Sequence, residues 1–319
     1  MVATVFIDGD AGTTGLEIRE RLAGRRDLRI EAIDPLLRKD VRVRRERLNS
    51  ADAVILCLPD AAAREAVALI VNQAVRVIDA STAHRVAAGW TYGFPEMASG
   101  QRAAIVGAAR IANPGCYPTG FIALVRPLVA AGLVPPDWPL TVNAVSGYSG
   151  GGRAMIAAFE DEASPDFTKT AFRPYALALD HKHVPEMRVH AGLIHPPLFT
   201  PAVGRYRQGM IVEVPLALHA LPSRPGAAEV HAALARAYDG EAFVRVAPRA
   251  ESAALAELDP EALNGADRMD LHVFGGEGAG GVRLVAILDN LGKGAAGAAV
   301  QNLNLVLGLP ESAGLITKP

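Results

Sequence analysis

The chain has 319 residues, of which 50% are hydrophobic and 21% are charged, and its formal net charge at pH 7 is -2. This length fits two domains, and the composition is that of a globular protein, not a disordered or fibrous one. The near-neutral charge excludes a general attraction to nucleic acid or to anionic membranes, so we expect neither as a partner.

Two cysteines, Cys57 and Cys116, supply neither a disulfide framework nor a four-ligand zinc site. The first residues lack the basic and apolar regions of a signal peptide, and the most apolar long segment, 121–134, is interrupted by Arg126 and Pro127. The sequence therefore predicts a cytoplasmic protein without membrane spans.

A glycine turn follows the first predicted strand. An apolar run over 2–7 predicts that strand, and apolar residues at helical spacing over 16–22 predict a helix. Such a turn lets the backbone approach a pyrophosphate, although the G-x-x-G-x-x-G spacing also fits a turn that is glycine-rich for steric reasons alone. The predicted cofactor contacts here are Gly9, Asp10, Gly12, Thr13, Thr14 and Gly15.

Two opposing signals follow the second predicted strand, 28–33. Asp34 lies about 20 residues past the glycine turn, where an acidic residue binds the ribose 2′-hydroxyl of NAD. A basic cluster that could bind the 2′-phosphate of NADP, or form a solvated helix face, comes next. It consists of Arg38, Lys39, Arg42, Arg44, Arg45 and Arg47.

Apolar runs over 53–58 and 75–78 predict two more strands, separated by a helix over 61–71. This alternation predicts a doubly wound parallel sheet with its ligand crevice at the carboxyl ends of the strands, where Pro59, Ser81 and Arg85 follow. Arg85 is a candidate clamp for an anion, and an exposed loop arginine is the alternative.

The segment Asn113-Pro114-Gly115-Cys116-Tyr117-Pro118-Thr119-Gly120 lies between an apolar strand ending at Ala112 and a predicted helix from Phe121. A cysteine at such a turn faces unpaired amides and a helix dipole, which favour the thiolate and predict a nucleophile. The alternative is a small buried residue, but we expect no core helix to carry so many prolines and glycines.

A polar, glycine-rich loop follows the predicted strand 140–145. Its hydrogen-bonding residues Ser146, Ser149 and Arg153 predict a loop shaped around a ligand, whereas a flexible linker is the alternative. A helix through Met155, Ile156 and Phe159 should follow.

His181 and His183 precede a predicted helix start marked by Pro185 and Glu186. Imidazole exchanges protons near neutral pH, so either histidine is a candidate acid or base. Half of a metal site and a pair of surface histidines are the alternatives, but no third ligand stands nearby, and we predict no metal.

The remaining patterns predict antiparallel strands over 210–218 and 282–288, a helix over 227–238, and hence an α+β second domain. Pro215 should mark an edge or a bulge. The segment 290–297 opens a last helix that we expect to pack on the first domain.

The chain resembles the N-acetyl-gamma-glutamyl-phosphate reductase family over essentially its full length. The resemblance depends on four motifs in this order along the chain: the glycine turn, the cysteine segment, His181-x-His183-x-Pro185-Glu186 and Asn290-Leu-Gly-Lys293-Gly-Ala-Ala-Gly297. The loop Asp79-Ala80-Ser81-Thr82-Ala83-His84-Arg85 resembles the shorter class, because the longer class carries Ala-Asp-Phe-Arg after that serine. This leaves Arg85 as a phosphate ligand and the roles of Thr82 and His84 open.

The resemblance implies NADP-dependent reduction of N-acetyl-glutamyl 5-phosphate to the semialdehyde and phosphate, in arginine biosynthesis, by a homodimer or homotetramer. It implies a Rossmann-like domain over 1–116, completed by 294–319, with an inserted catalytic and oligomerisation domain over 117–293. Further site residues follow from it: Arg38, Pro59, Asn290 and Lys293 for the cofactor, and Ser81, Asn113 and Glu186 for the substrate.

The expected mechanism is attack of Cys116 on the acyl carbon, release of phosphate and hydride transfer to the thioester. The resemblance favours His181 as the base, with His183 and Glu186 binding or orienting. The alternatives are a related enzyme such as an aspartate-semialdehyde dehydrogenase or a lysine-pathway counterpart, and a nucleotide-sensing regulator without catalysis.

Overall fold

A computed structural model describes residues 2–38, 40–276, 278 and 280–317. The chain divides into two compact units. Unit 1 comprises the chain up to Pro95 together with 99–115 and 295–315, and unit 2 comprises 96–98, 116–294 and the chain from Ile316 onward. The boundaries predicted from the sequence place 96–98, Cys116, Gly294 and 316–317 in the first domain instead.

Unit 1 begins with alternating strands and helices. The strands are β1 (Ala3–Asp8), β2 (Leu28–Glu31), β3 (Ala53–Leu56), β4 (Arg76–Asp79), β5 (Thr91–Tyr92) and β6 (Arg110–Ala112). The helices are α1 (Thr13–Leu22), α2 (Val41–Ser50), α3 (Asp60–Leu69) and α4 (Gln101–Gly107).

The six described strands of unit 1 form one parallel sheet in the order β2-β1-β3-β4-β6-β5. Its central strands read as apolar runs because helices cover both faces, and all four residues of β3 are fully buried. The strand order reverses at β1, so the carboxyl ends of β1 and β3 flank the crevice where such sheets bind ligands. The predicted doubly wound fold is confirmed.

Unit 2 is a mixed sheet with helices. The strands are β7 (Thr141–Gly147), β8 (Phe172–Pro174), β9 (Leu198–Gly204), β10 (Met210–Leu216), β11 (Val244–Val246), β12 (Met269–Phe274) and β13 (Val282–Leu288). The helices are α5 (Cys116–Ala130), α6 (Gly152–Glu160), α7 (Val184–Ala191), α8 (Ala227–Ala237) and α9 (Arg249–Ala254).

Over the described residues, the sheet of unit 2 has the order β11-β12-β13-β10-β7-β9-β8. The pairs β7–β9 and β11–β12 are parallel and the other neighbours are antiparallel, which confirms the predicted α+β class. Strand β10 is internal, so Pro215 does not mark an edge strand. However, β7 pairs only with residues 210–213, and Pro215 lies past that pairing, where one side of β10 has lost this neighbour.

Helix α5 differs from its prediction, because it begins at Cys116 itself and continues through Pro127. Pro118 is tolerated in the first turn, where helix N–H groups have no intrahelical partner. A Cβ on Gly120 would lie 2.9 Å from Val212 Cγ2 of β10 and 3.2 Å from Ala286 Cβ of β13. The expectation that no core helix carries these residues was wrong, since glycine here permits close packing on the sheet.

The chain returns to unit 1 through a π-helical turn (Gly292–Ala296) and α10 (Gly297–Val306). Val300 and Leu303 of α10 pack with Val5 and Ile18 in one buried cluster, as predicted for the last helix. Within the described part of the chain, no helix has the length and apolar character needed to cross a membrane.

Candidate active site

The glycine turn of unit 1 is shaped by two glycines that no other residue could replace. Gly9 has φ of +90°, and a Cβ there would lie 2.3 Å from Cys57 O. A Cβ on Gly15 would lie 2.5 Å from Gly9 O. At Gly12 a Cβ would meet only Gly9 O, at 3.5 Å, so the space in front of the first α1 amides is open. The turn can therefore admit a phosphate.

Acidic residues on and beside the turn are paired with arginines. Asp10 accepts from Arg19 at 2.6 Å and contacts Arg38 at 3.2 Å, while Asp8 at the end of β1 pairs with Arg44 at 2.7 Å. Part of the basic cluster thus lies at the glycine turn. The Arg42 side chain, in contrast, is 93% exposed, as expected if that part of the cluster forms a solvated helix face. Lys39 lies outside the described residues.

Asp34, the predicted partner of a ribose hydroxyl, has a structural role. Its carboxylate accepts a hydrogen bond from Leu36 N–H at 2.9 Å and caps the 3₁₀ turn that follows β2. Thr13 Oγ1 is one of the buried oxygens without a hydrogen-bond partner among the described residues. An open glycine turn, a buried hydroxyl and Arg38 beside Asp10 together fit a phosphorylated dinucleotide.

The segment after β3 holds the second cysteine and Pro59, which occupies the N-cap position of α3. Burial, followed by the charges of Asp79, Asp8 and Asp10, raises the pKa of Cys57 to about 12. Cys57 is therefore a thiol at neutral pH and no candidate nucleophile.

The loop after β4 is organised by Asp79, which accepts from Ser81 Oγ at 2.7 Å and contacts His84 Nδ1 at 2.6 Å. Thr82 Oγ1 donates to Asp60 at 2.5 Å. The structure thus gives Thr82 and His84 structural roles, and the Ser81 hydroxyl donates within the loop, while its predicted substrate contact stays a prediction.

Arg85 is buried, so the alternative of an exposed loop arginine was wrong. Its Nε donates to Asn113 O and its Nη2 to Ala80 O, both at 3.0 Å. The guanidinium therefore ties the loop after β4 to the segment that precedes Cys116. Asn113 itself donates to Ala295 O at 3.0 Å and accepts from Asn302 at 3.1 Å, so its amide joins that segment to α10, and its predicted substrate contact stays a prediction.

Cys116 is the first residue of α5 in unit 2 and is half-buried. Gly294 packs directly on it, because a Cβ on Gly294 would lie 2.9 Å from Cys116 Cβ. A negative charge on Cys116 contributes to raising the pKa of both Tyr117 and Tyr175, after the larger effect of burial. The sulfur therefore lies within electrostatic reach of both phenols, with helix amides behind it.

The two imidazoles belong to the same cluster as these phenols. The His181 and His183 rings lie 4.7 Å apart, and each lies about 6 Å from the Tyr117 ring, at 6.0 and 5.9 Å. The Tyr175 hydroxyl contacts His181 Nε2 and donates to the Tyr117 hydroxyl, both at 3.3 Å. Unit 2 thus gathers Cys116 and both histidines around two tyrosines.

The hydrogen bonds of His181 define its resting tautomer. His183 N–H donates to His181 Nδ1 at 3.1 Å, so the neutral ring carries its proton on Nε2, facing Tyr175. Burial, and then Lys182, lower the pKa of His181 to about 4, so the ring is neutral at pH 7. The expected removal of the thiol proton by His181 would require breaking the bond from His183, whereas Nε2 already carries a proton that it can donate.

Stability should depend on pH through His181. Between its folded pKa of about 4 and the unfolded value of about 6.5, the unfolded chain binds a proton that the folded chain does not. The free energy of unfolding therefore falls as pH is lowered through this window, with no further loss from this group below it. Thermal midpoints from pH 7 to 4 should fall more steeply for the wild type than for His181→Asn, and parallel curves would contradict the assignment.

The polar loop of unit 2 is held by a residue that we predicted to bind the cofactor. Asn290 donates to Ser149 Oγ at 2.9 Å and accepts from Gly209 N–H at 2.7 Å. Ser146 is buried and donates to Gly147 O at 3.1 Å, whereas Arg153 is exposed at the start of α6. The loop is therefore a built element and not a flexible linker.

Two predicted site residues of unit 2 are deeply buried. Glu186 lies in the first turn of α7, after His183 at the N-cap and Pro185, as predicted. Lys293 Nζ lies 2.8 and 2.9 Å from the two carboxylate oxygens of Glu96. This pair holds the ammonium inside unit 2, and the cofactor contact predicted for Lys293 stays a prediction.

Sequence reasoning missed Tyr117 and Tyr175. Tyr117 follows Cys116 directly, and that adjacency was a usable signal. Tyr175 precedes Ala176 and Leu179, which have φ of 52° and 61°. Alanine and leucine rarely adopt this left-handed conformation, so the sequence did not predict the path of the chain near Tyr175. Among the described residues, no group of three His, Cys, Asp or Glu side chains could hold a metal ion.

Two family models match the chain. The model described as "Semialdehyde dehydrogenase, NAD binding domain" matches residues 24–106, and "Semialdehyde dehydrogenase, dimerisation domain" matches residues 116–290. The chain also resembles the solved structure of aspartate semialdehyde dehydrogenase II from Vibrio cholerae, with a TM-score of 0.69 and 16% identity over 97% of this chain and 99% of that one. That likeness shows a shared fold.

Relatives with named activities are much more similar in sequence. An N-acetyl-gamma-glutamyl-phosphate reductase from Burkholderia cenocepacia is 55% identical over 312 residues, which cover 97% of this chain and 99% of the relative. The N-acetyl-gamma-glutamyl-phosphate reductase 2 of Nostoc sp. is 52% identical over 317 residues, or 98% of each chain. The chain therefore belongs to the N-acetyl-gamma-glutamyl-phosphate reductase family, within the semialdehyde dehydrogenases.

Proposed function

We propose that this protein catalyses the NADP-dependent reduction of N-acetyl-glutamyl 5-phosphate to N-acetylglutamate 5-semialdehyde and phosphate, a step of arginine biosynthesis. The observation that carries the proposal is the cluster of Cys116 with two imidazoles and two phenols at the start of α5. The names of relatives 55% identical over nearly the whole chain support the same substrate.

The Cys116 thiolate attacks the acyl carbon, and the bond to the phosphate oxygen breaks with its electron pair leaving on phosphate. The first α5 amides stabilise the thiolate because they carry the positive end of the helix dipole. The product of this step is a thioester on Cys116, which accepts a hydride without expelling phosphate at the same time.

His181 donates from Nε2 to the oxyanion that forms on the acyl oxygen, and neutral imidazole suits this role because its proton already lies there. NADPH, when bound, would supply the hydride that reduces the thioester. His181 then protonates the alkoxide of the thiohemiacetal and takes that proton back as the C–S bond breaks and the aldehyde forms. Tyr175 orients the ring from Nε2, and His183 orients it from Nδ1 through its backbone N–H.

The departing phosphate is bound in unit 2 by Arg153 and the loop 146–153, and the phosphate contact predicted for Arg85 stays a prediction. The support for this assignment is chemical, since an exposed guanidinium at a helix start offers a fork for phosphate oxygens. Glu186 helps to orient the histidines from the first turn of α7.

The dinucleotide binds at the glycine turn of unit 1, with its pyrophosphate on the first α1 amides and Arg38 on the 2′-phosphate. Gly12→Ala tests this placement, because the new Cβ would enter the open space before α1 without meeting protein atoms closer than 3.5 Å. We expect KM for NADPH to rise by about tenfold or more, equivalent to about 1.4 kcal/mol, with an unchanged thermal midpoint. An unchanged KM would place the pyrophosphate elsewhere.

The match to a dimerisation domain supports self-association. Phe172, Leu177 and Leu179 are 57, 82 and 51% exposed on unit 2, and this apolar surface fits a homodimer or homotetramer. The cytoplasmic location stays a prediction of the sequence.

One assay tests the proposed function. Purified protein is mixed with NADPH or NADH and with N-acetyl-glutamyl phosphate or aspartyl phosphate, and nucleotide oxidation and phosphate release are measured. We expect turnover with NADPH and N-acetyl-glutamyl phosphate. Preferential turnover of aspartyl phosphate would identify an aspartate-semialdehyde dehydrogenase, and nucleotide binding without turnover of either substrate would identify a regulator.

A further inference from the structure

The deepest ion pair described in unit 2 has no part in the mechanism above. The side chains of Lys293 and Glu96 are 2% and 0% exposed, and the ammonium lies 2.8 and 2.9 Å from the carboxylate oxygens. It also lies 5.4 Å from the centre of the Phe243 ring. Burying two charges costs more solvation energy than their attraction commonly returns, so such a pair is weak evidence for a stabilising role.

The pair anchors the turn 292–296, whose backbone is π-helical. Gly294 N–H donates to Asp289 O at 3.0 Å, five residues back, in place of the usual four. Asp289 in turn accepts from Leu291 N–H at 2.8 Å and Gly265 N–H at 2.9 Å, so the start of the turn is fixed as well. Short π-helical segments are rare and occur frequently at functional sites.

The same turn bears on the nucleophile. Gly294, the neighbour of Lys293, packs so closely on Cys116 that an added Cβ would lie 2.9 Å from Cys116 Cβ and 3.4 Å from its Cα. The other partner of the pair belongs to the same packing, because Glu96 contributes, after burial, to raising the pKa of Tyr238, whose hydroxyl donates to Ala123 O of α5 at 2.9 Å.

We infer that Lys293 and Glu96 are positioning residues for the nucleophile: their ion pair fixes the turn 292–296, and Gly294 in that turn sets the position of Cys116 at the start of α5. This inference rests on the proposed function, since it assigns a role in that reaction. It also explains why a costly buried pair lies one residue from a contact with the reacting cysteine.

Comparison of single and double variants separates positioning from simple stability. Lys293→Met leaves the Glu96 charge buried without this partner and should lower the thermal midpoint, whereas Glu96→Gln with Lys293→Met removes both charges and should restore it. We expect kcat of the double variant to stay about 10²-fold low, because small misplacements of reacting groups have effects of that size. KM for the acyl phosphate should be unchanged. A double variant with wild-type kcat would overturn the inference.

A second variant tests the inference if the double variant has a lower thermal midpoint than the wild type. Gly294→Ala keeps the ion pair and displaces Cys116 through the close contact, so kcat should fall at least about tenfold with unchanged KM. Gly226→Ala is the matched control, because a Cβ there meets no atom within 4 Å. Wild-type kcat in Gly294→Ala would overturn the inference.

Alkylation of Cys116 by iodoacetamide, measured on its peptide by mass spectrometry, adds a readout that needs no substrate. Both variants should change its rate relative to wild type, while Gly226→Ala and the exposed pair variant Glu213→Gln with Arg283→Met should not. Unchanged rates in both variants would overturn the inference. Failure of wild-type protein to reduce the acyl phosphate would instead count against the proposed function.

Discussion

Replacing Cys116 with alanine should lower kcat for acyl-phosphate reduction by at least about 10⁴-fold, because losses of this size or larger follow removal of a catalytic nucleophile. Cys116 lies in unit 2 and the glycine turn in unit 1, so binding of NADPH should be unchanged in titrations. Wild-type protein given the acyl phosphate without NADPH should release one phosphate per site and gain the mass of the acyl group on the Cys116 peptide. The alanine variant should do neither.

Cys57→Ala is the matched control for this experiment. Burial and neighbouring carboxylates raise the pKa of Cys57 to about 12, so this thiol is no nucleophile at neutral pH and its loss should leave kcat near wild type. Retention of near wild-type reduction by Cys116→Ala, or an acyl group found on Cys57, would end the thioester mechanism.

His181→Asn should lower kcat by about 10²-fold or more, because it removes the proton donor at Nε2. The asparagine oxygen can still accept from His183 N–H, so the local backbone and KM should change little. His183→Asn should have a smaller effect, since asparagine is a good N-cap for α7 and the backbone N–H remains.

Tyr175→Phe distinguishes orientation from proton transfer. It removes the hydroxyl that contacts His181 Nε2 at 3.3 Å but leaves the imidazole in place, so kcat should fall between those of wild type and His181→Asn. A large loss of kcat in His183→Asn, with near-normal turnover in His181→Asn, would transfer the acid–base role to His183.

The parts of the fold that follow from local patterns were predictable. The strands of unit 1 are apolar runs because both faces of a parallel sheet are buried, and the last helix carries its apolar face into that core. Strand β12 was missed because Asp270 and His272 interrupt its apolar pattern. Asp270 is paired with Arg245 and Arg268, and His272 contacts Ser252, so both polar groups are buried with partners.

The type of chemistry at the candidate site was predictable from the sequence, whereas the roles of individual residues were less so. Cys116 and the two histidines stand out in the sequence because few functions other than catalysis explain the prolines, glycines and polar residues that flank them. Ser81, Asn290 and Lys293 also stand out as polar residues in the segments that follow β4 and β13, but their side chains bond within the protein. Sequence alone does not reveal whether a polar group at a strand end faces a ligand or a backbone carbonyl.

The contact of Gly120 with β10 and β13 has a consequence for how this enzyme could change. At Gly120 the helix that carries the nucleophile contacts the sheet without a side chain of its own in between, since an added Cβ would lie 2.9 Å from Val212 Cγ2. An outward shift of the helix would therefore open a gap at this contact, while an inward shift is blocked. New acyl-group preferences should consequently arise by remodelling of surrounding loops, and selection for altered substrates should leave α5 and the residues beneath it unchanged.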